Sequence, residues 1–574
     1  MKNQQVAEIL EKMADLLEFK GEIPFKIAAY RKASRTINDL TEDIETIWQE
    51  GRLAEIPGVG KGLQGKIEQF LAEGKIRQLD ELLEQVPRDI FELLSIQNFG
   101  PKSVALAYKK LGVETLDDLE KVLDDGRLAT LPGMGAKKVE NIRKGLELRK
   151  TAGSRISIGI ALPIVDEVIS YIKEKAGSKI GRISPAGSVR RNRETVHDID
   201  ILAETDHGGE VIEVFTHTPR VTQVLGAGET KGSVVLDDRF QVDLRAVKSE
   251  SYGAAQQYFT GSKDHNVHLR EIAKKNGYKI NEYGIYKSED KVGGEDEKDI
   301  YHLLNMSWIP PELRENRGEI EAALKDALPE LVTVQDIKAD LHIHSTYSDG
   351  QLTIEEMAEQ VRSMGYSFMA FCDHSKSAVY ANGLDEKRLL QEIQEIRQLN
   401  EKYDDFVVLA GSEVDILPDG SLDFSDEILA QLDFVVASIH SAFKTDPTMR
   451  TLAAMENKYV DVIAHPTGRL ISRREGFSLD MDQVIAKAAE TGTALEVNSY
   501  WDRLDLSDIN VKKAVESGVK ISINTDSHHP NHLSMMALGV GNARRGWAKK
   551  SDVINAMTLD ELRAWQKRRK DNEK

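Results

Sequence analysis

Hydrophobic and polar positions follow three rhythms along the chain. The opening stretch, MKNQQVAEILEKMADLLEFK, is amphipathic, and the chain from there to about residue 150 reads as short helices broken by glycine turns. From about Arg155 the texture becomes mixed. ISIGIALPIVDEVISYIKEKAG predicts a strand and then a helix, while DIDILAET, SVVLDD and RFQVDLRAV are strand-like runs separated by turns. After Trp308 the stretch PPELRENRGEIEAALKDALPELV has prolines, charge and no strong period, which predicts an inter-domain connection over 310–336. Beyond Ala339, strand-like runs alternate with helical patterns such as TIEEMAEQVRSMG and MDQVIAKAAETG. Counting ALEVNSY there are seven such runs, which predicts a parallel sheet closed into a barrel.

At 574 residues the chain exceeds one hydrophobic core, and about three or four domains are expected. Apolar content of 40% with charged content of 30% is ordinary for a soluble protein, and no apolar run is long enough for a bilayer. The N-terminus lacks the charged head and apolar core of a signal peptide, so a cytosolic protein is the default expectation; separately, a monomer is expected. The single cysteine, Cys372, cannot form an internal disulfide and reads as a small buried strand residue. A net charge of −19 argues against coating of nucleic acid over the whole surface and leaves local binding open.

One short pattern recurs three times in the helical part: IPGVGKGLQGKI, IQNFGPKSVALAY and LPGMGAKKVENI. Each is an apolar residue, a tight glycine turn and a helix start, whose unsatisfied N–H groups suit a phosphate. The three resemble helix-hairpin-helix motifs, which grip a DNA backbone without reading bases. That resemblance makes Gly58, Gly60, Gly100, Gly133 and Gly135 candidate backbone contacts, with Lys61, Lys66, Lys102, Lys137 and Lys138 nearby.

AGSVRRNRETVHDIDIL carries different chemistry. Asp198 and Asp200 are read as alternating along one strand, so that both carboxylates share a face, and Asp243 in FQVDLRAV adds a third if its strand is a neighbour. Two divalent ions held in this way would activate a 3′-hydroxyl and stabilise a pyrophosphate leaving group. Gly187 and Ser188 offer turn N–H groups to triphosphate oxygens, and Arg190, Arg191 and Arg193 supply cations.

From its start to about Trp308 the chain resembles the family X DNA polymerases, the DNA polymerase beta group. AAYRKASRTI and IPGVGKGLQGKIEQFLAEGKIRQL resemble the family's small N-terminal domain. GSVRRNRETVHDID resembles its palm signature, and YFTGSKDHNVHLREIAKKNGYKINEYGIY its nucleotide-selecting subdomain. The resemblance makes Asp198, Asp200 and Asp243 the catalytic metal-binding carboxylates for Mg²⁺ or Mn²⁺. It gives the triphosphate to Ser188 and Arg191 beside Gly187, the sugar pocket to Tyr258, Phe259 and Gly261, and the nascent base pair to Asn266 and Arg270. Lys66 matches the position of a Schiff-base lysine in some members, with Lys26 and Tyr30 as support. Phe25 and Gly62 depart from that pattern, so Lys66 is read first as a phosphate contact, with a lyase role as the alternative. Lys263 and Gln241 also depart from the family's pattern.

Eight of the 14 histidines follow Ala339, and six of them close strand-like runs. Imidazoles mixed with carboxylates suit Zn²⁺, Mn²⁺ or Fe²⁺. This part resembles the PHP (polymerase and histidinol phosphatase) domain, and all nine family metal positions are filled: His342, His344, Asp349, His374, Glu413, His440, His465, Asp526 and His528. The resemblance implies a metallohydrolase with Zn²⁺, Mn²⁺ or both, in a cluster of three.

The expected architecture is therefore multidomain: helical helix-hairpin-helix domains over 1–85 and 86–152, an α/β nucleotidyltransferase palm over 153–248 and a small α+β nucleotide-selecting subdomain over 249–309. A distorted (β/α)7 PHP barrel over 337–574 comes after the linker. The joined resemblances imply a repair polymerase that fills short gaps in primer-template DNA from dNTPs, with a 3′–5′ exonuclease and an abasic-site endonuclease as the hydrolytic expectations. Two rivals are a small-molecule phosphatase with regulatory upstream domains, and a non-catalytic DNA-binding scaffold.

Overall fold

The structure is a computed structural model. It describes residues 2–571 apart from 39–43, 57, 84, 88, 95, 97–98, 141, 144–145, 147–154, 238 and 444. The chain divides into two compact units, Met1–Ser154 with Ser472–Arg474, and Arg155–Ile471 with Glu475–Lys574.

The first unit is helical. Helices Lys2–Lys20 and Pro24–Asn38 bury Val6, Leu10, Met13, Leu17, Ile27, Tyr30, Ala33 and Ile37, positions three or four apart that form one face of each helix. Helices Lys61–Glu73 and Pro101–Leu111 add Leu63, Ile67, Val104 and Ala107 to the same core. The repeated turn is closed by the same backbone hydrogen bond in all three copies. Val59, Phe99 and Met134 are buried, and their backbone N–H groups donate to Ile56, Ile96 and Leu131 at 3.0 Å each. Gly60 and Gly100 are the N-caps of the helices after them. Gly58 and Gly133 have φ of +86° and +76°, a turn conformation that admits glycine readily.

The second unit opens with a five-stranded sheet ordered Ile183–Pro185, Ile199–Glu204, Phe240–Val247, Lys231–Leu236 and Val221–Ala227. The strand Val221–Ala227 is not among the runs legible in the sequence, because most of its residues are exposed and leave no apolar alternation. Helices Ile158–Ala176 and Gly208–Thr216 cover the sheet with Ile164, Val168, Ile172, Val211, Ile212 and Phe215. A three-stranded antiparallel sheet, 278–293, packs with helices Tyr252–Thr260, Lys263–Lys275 and Glu297–Leu303 around Leu269, Ile300 and Tyr301.

The segment 310–336, read as a connection, is not a free linker. Ile320, Ala323 and Leu331 belong to that same core, and Arg314 is fully buried with its guanidinium on Glu297 Oε1 at 2.6 Å. A buried charge with a dedicated partner shows no hydropathy period, so the pattern resembled a linker.

The remainder is a parallel sheet of seven strands in sequence order, from Ala339–Ile343 to Ile521–Asn524. His344 N donates to Ser527 O at 2.9 Å and Ile343 bridges Ser527, so the last strand stands beside the first and the barrel is nearly closed. Strands buried on both faces explain the continuous apolar runs. Thr353 and Glu356 form a reciprocal cap on helix Ile354–Ser363. Cys372 is fully buried. Among the described residues no helix is long and apolar enough to cross a membrane.

Candidate functional sites

In the five-stranded sheet, strands Ile199–Glu204 and Phe240–Val247 run parallel, with Asp200 opposite Asp243. Asp198 lies in the bend before its strand rather than within it, so strand alternation does not aim its carboxylate. Burial first, then the charges of Asp198 and Asp243, push the Asp200 carboxyl up to about 6. Asp243 moves the other way: burial raises it, but hydrogen bonds from Lys231, Gln241 and Ser233 hold it below its ordinary value. Lys231 Nζ lies 2.7 Å from Asp243 Oδ2, a cation on the carboxylate that carries the expected metal role.

Gly187 begins a single helical turn, Gly187–Arg190, packed onto Asp200: Ala186 N donates to Asp200 O at 2.8 Å. With φ of +56°, a Cβ at Gly187 would collide with Asp200 Oδ2. Ser188 lies in this turn, partly exposed. Arg190 is committed elsewhere, gripping Glu297 with both terminal nitrogens at 2.7 and 2.8 Å. Arg191 donates to Glu315 Oε1 at 3.0 Å and to Thr260 O, and a Cβ at Gly261 would lie 3.0 Å from its guanidinium. Two residues expected at the nucleotide, Arg191 and Gly261, are thus adjacent. Tyr258 and Phe259 meet edge to face at 5.2 Å, and Arg245 covers the Phe259 ring at 4.6 Å. Asn266 is buried, donating to Tyr258 O at 2.7 Å and accepting from Gln257 at 2.6 Å, so here it braces the turn. Arg270 is exposed and donates to Asn266 O at 3.1 Å.

At the C-terminal ends of the barrel strands the donor atoms gather into three overlapping groups: His342, His344 and Asp526; His344, Asp349, His374 and His528; and His374, Glu413 and His440. Within each group the atoms lie within 4.8 Å of one another. His465 joins through Nε2, 3.0 Å from Glu413 Oε1. Each group of three or more such donors among the described residues lies in the barrel, so Asp198, Asp200 and Asp243 do not form one. Nε2 of His342, Nδ1 of His344 and Oε2 of Glu413 are buried without a hydrogen-bond partner. Buried polar atoms are normally satisfied, and unsatisfied imidazole and carboxylate atoms within these groups fit divalent cations.

The electrostatics agree with that fit. Burial raises Glu413, but His440, His374 and His342 hold it well below the usual carboxylate range. His440, despite burial, is pushed up to about 10 by Glu413 and Asp415, whereas burial and the neighbouring His528 and His374 drive His344 down to about 4. Protons and metal compete for the same atoms.

Three neighbours of the cluster carry strong interactions. Glu496 accepts His342 Nδ1 at 2.8 Å, Asn498 donates to Asp526 at 2.9 Å, and Asp415 lies 3.3 Å from His440 Nδ1. Asp415 is not among the residues singled out from the sequence, although Glu413 and Asp415 alternate along one strand and the period of two was available. Arg503, 4.0 Å from Asp526, comes from a turn, and Tyr380, 6.2 Å from the His374 and His440 rings, from the single 3-10 turn Val379–Ala381; neither has a period to reveal it. Asp373 and His529 act locally: Asp373 accepts from Ser345 and Ser348, and His529 caps a short helical turn.

In the helical unit Lys66 Nζ donates to Gly62 O at 2.8 Å and lies 5.8 Å from the Tyr30 ring centre. Burial and the charge of Lys26 lower its pKa. Phe25 is 85% exposed.

The chain is 40% identical over 578 residues to the DNA polymerase/3′-5′ exonuclease PolX of Bacillus subtilis (strain 168), a match spanning 99% of this chain and 100% of the relative. The chain belongs to the family X DNA polymerases.

Family models agree segment by segment: a helix-hairpin-helix domain over 1–76, a SAM-like helix-hairpin-helix tandem over 90–149, the DNA polymerase beta thumb over 255–315 and a PHP domain over 340–500. The thumb match runs through Arg314 and Glu315, into the segment that the sequence pattern presents as a linker. A probable phosphatase of Thermoanaerobacter sp. (strain X514) is 31% identical over 204 residues, 33% of this chain and 78% of the relative. Another, from Acetivibrio thermocellus, is 30% identical over 205 residues. Both cover only the PHP part of this family X polymerase.

Proposed function

We propose that this family X polymerase extends primer 3′-ends at Asp198, Asp200 and Asp243 and hydrolyses 3′-terminal phosphodiesters at the barrel's histidine and carboxylate cluster, so that it fills short gaps and trims their ends. The single observation that carries the reading is the full-length match to a polymerase/exonuclease, which spans both centres, while the phosphatase relatives span one. Divalent cations bound at either centre would lower the pKa of the attacking hydroxyl or water and neutralise charge on the phosphate. Mg²⁺ or Mn²⁺ at the aspartates, and Zn²⁺ or Mn²⁺ at the barrel, fit the donor sets.

The chain's own groups do the rest. Asp200 and Asp243, paired on neighbouring strands, would hold divalent cations, with Asp198 as a third carboxylate from the bend before its strand. The Gly187–Ser188 turn offers backbone N–H groups to triphosphate oxygens, with Arg191 as their counter-charge. Tyr258, Phe259 and Gly261 bound the sugar, and Asn266 holds the Tyr258 turn in place. Arg270 faces the nascent pair. In the barrel, Glu496 fixes the tautomer of His342 so that Nε2 faces the cluster. The three glycine turns and their lysines track the DNA backbone, and Lys66 adds a phosphate contact.

The test is a 5′-labelled primer on a gapped template with Mn²⁺. Extension is expected with dNTPs and shortening without them. Asp200→Ala should remove the first and His342→Ala the second. A primer left unchanged by folded, metal-loaded protein, or both activities falling with either substitution, would refute two independent centres.

A further inference from the structure

Resting on the reading that Arg191 holds the triphosphate, we infer that Arg545, in the barrel half of the chain, is a positioning residue for the polymerase reaction. It acts as a second partner for Glu315 and so frees Arg191 for the incoming nucleotide. Glu315 is the shared group. Its Oε1 accepts from Arg191 Nε at 3.0 Å and from Arg545 Nη1 at 3.0 Å, and its Oε2 lies 3.8 Å from Arg193. None of the central three is free in solvent: side-chain exposure is 13% for Arg191, 11% for Glu315 and 2% for Arg545.

Arg545 is itself anchored from both sides. Nη1 also donates to the backbone carbonyl of Arg191 at 2.7 Å, and Nη2 donates to Asp508 at 2.7 Å. Asp508 is held in turn by Arg317 at 3.0 Å. Helix Met536–Arg545 comes close to the loop after Arg191, where a Cβ at Gly541 would lie 3.1 Å from Asn192. The last residue of a barrel helix therefore touches both the backbone of the phosphate-binding loop and the carboxylate that holds its arginine.

The energetic consequence stems from charge. A triphosphate and Glu315 are competing anions for the Arg191 guanidinium, and a buried carboxylate left without a cation is strongly disfavoured. With Arg545 in place, Glu315 keeps a charged donor when Arg191 turns to the nucleotide. Without it, Arg191 becomes the principal cation on a buried carboxylate, and nucleotide binding must pull that pair apart. The barrel thus sets the nucleotide affinity of the neighbouring centre through one arginine.

The test measures single-nucleotide insertion by the full-length enzyme. Arg545→Gln should raise KM for dNTP roughly tenfold, about the worth of one charge-assisted hydrogen bond, with kcat changed much less. Arg545→Lys should fall between it and the wild type. Glu315→Gln alone should give a KM at or below that of the wild type, because it removes the competitor. Combined with Arg545→Gln it should bring KM back to within about twofold of the wild type. Exonuclease activity and melting temperature report that each variant is folded. If Arg191→Gln leaves KM unaltered, the reading beneath the inference fails. If Arg191→Gln raises KM but Arg545→Gln does not, or Glu315→Gln fails to rescue it, Arg545 merely joins domains and the inference is overturned. A rise in KM for Glu315→Gln alone overturns it as well, and that variant serves even if Arg545→Gln does not fold.

Discussion

Replacing Glu496 by glutamine should disable the barrel centre while sparing polymerisation. The Glu496 side chain is fully buried and all its surroundings donate: Oε1 faces His342 Nδ1 at 2.8 Å and Asn524 Nδ2 at 2.9 Å, and Oε2 faces the His465 amide at 2.7 Å and Asn498 Nδ2 at 3.4 Å. Glutamine has the same shape but turns one acceptor into a donor. If its NH₂ faces His342, the imidazole must accept at Nδ1 and carry its proton on Nε2, aimed into the cluster where a lone pair is needed. If it faces the other way, it opposes the His465 N–H, which can only donate. Either orientation leaves a buried donor unsatisfied, worth about 1–3 kcal/mol. Losing such support typically lowers metal affinity by about 10–100-fold, or about 1.4–2.7 kcal/mol. The assay is exonuclease rate against Mn²⁺ concentration, with bound metal measured after dialysis. The half-saturating concentration should rise by about 10–100-fold while primer extension in the same preparation holds. Half-saturation within about twofold of the wild type, with equal bound metal, would refute the assignment of Glu496 as the group that orients His342.

Gly187→Ala should push Asp200 aside and lower primer extension about 100-fold with exonuclease retained; an unaltered extension rate would sink the packing argument. Glu297→Gln should destabilise the fold by about 3–5 kcal/mol, because Arg314 and Arg190 lose their buried counter-charge. Burial raises Glu297, but Arg314 and Arg190 hold it well below its ordinary 4.5, so its contribution is complete above that pH and is lost as pH falls below it. The gap in melting temperature between wild type and variant should therefore narrow between about pH 5 and about pH 3; a constant gap would contradict the linkage. Lys66→Ala should weaken DNA binding and lower the salt slope by about one, as expected for one phosphate contact. Borohydride trapping of a Lys66 adduct on a 5′-deoxyribose phosphate end would instead make Lys66 a nucleophile, a role its lowered pKa would suit.

Much of the chemistry was legible in the sequence because it depends on short-range order. A glycine turn before a helix start repeats as a local motif, and the same backbone hydrogen bond closes all three copies. Barrel strands buried on both faces appear as apolar runs, and residues at their ends converge on one mouth whatever their separation along the chain; nine candidate ligands are named from the sequence, and eight of them fall into the three donor groups. What only the tertiary structure decided involves partners that no local rule connects. Lys231 on Asp243, Arg503 near Asp526 and Glu315 between Arg191 and Arg545 join residues 12 to 230 positions apart. The segment 310–336 shows the same limit from the other side. Its buried Arg314 and Glu319 break hydropathy periodicity and make core look like linker, because a charge can be buried wherever a distant partner compensates it, and sequence does not reveal that partner.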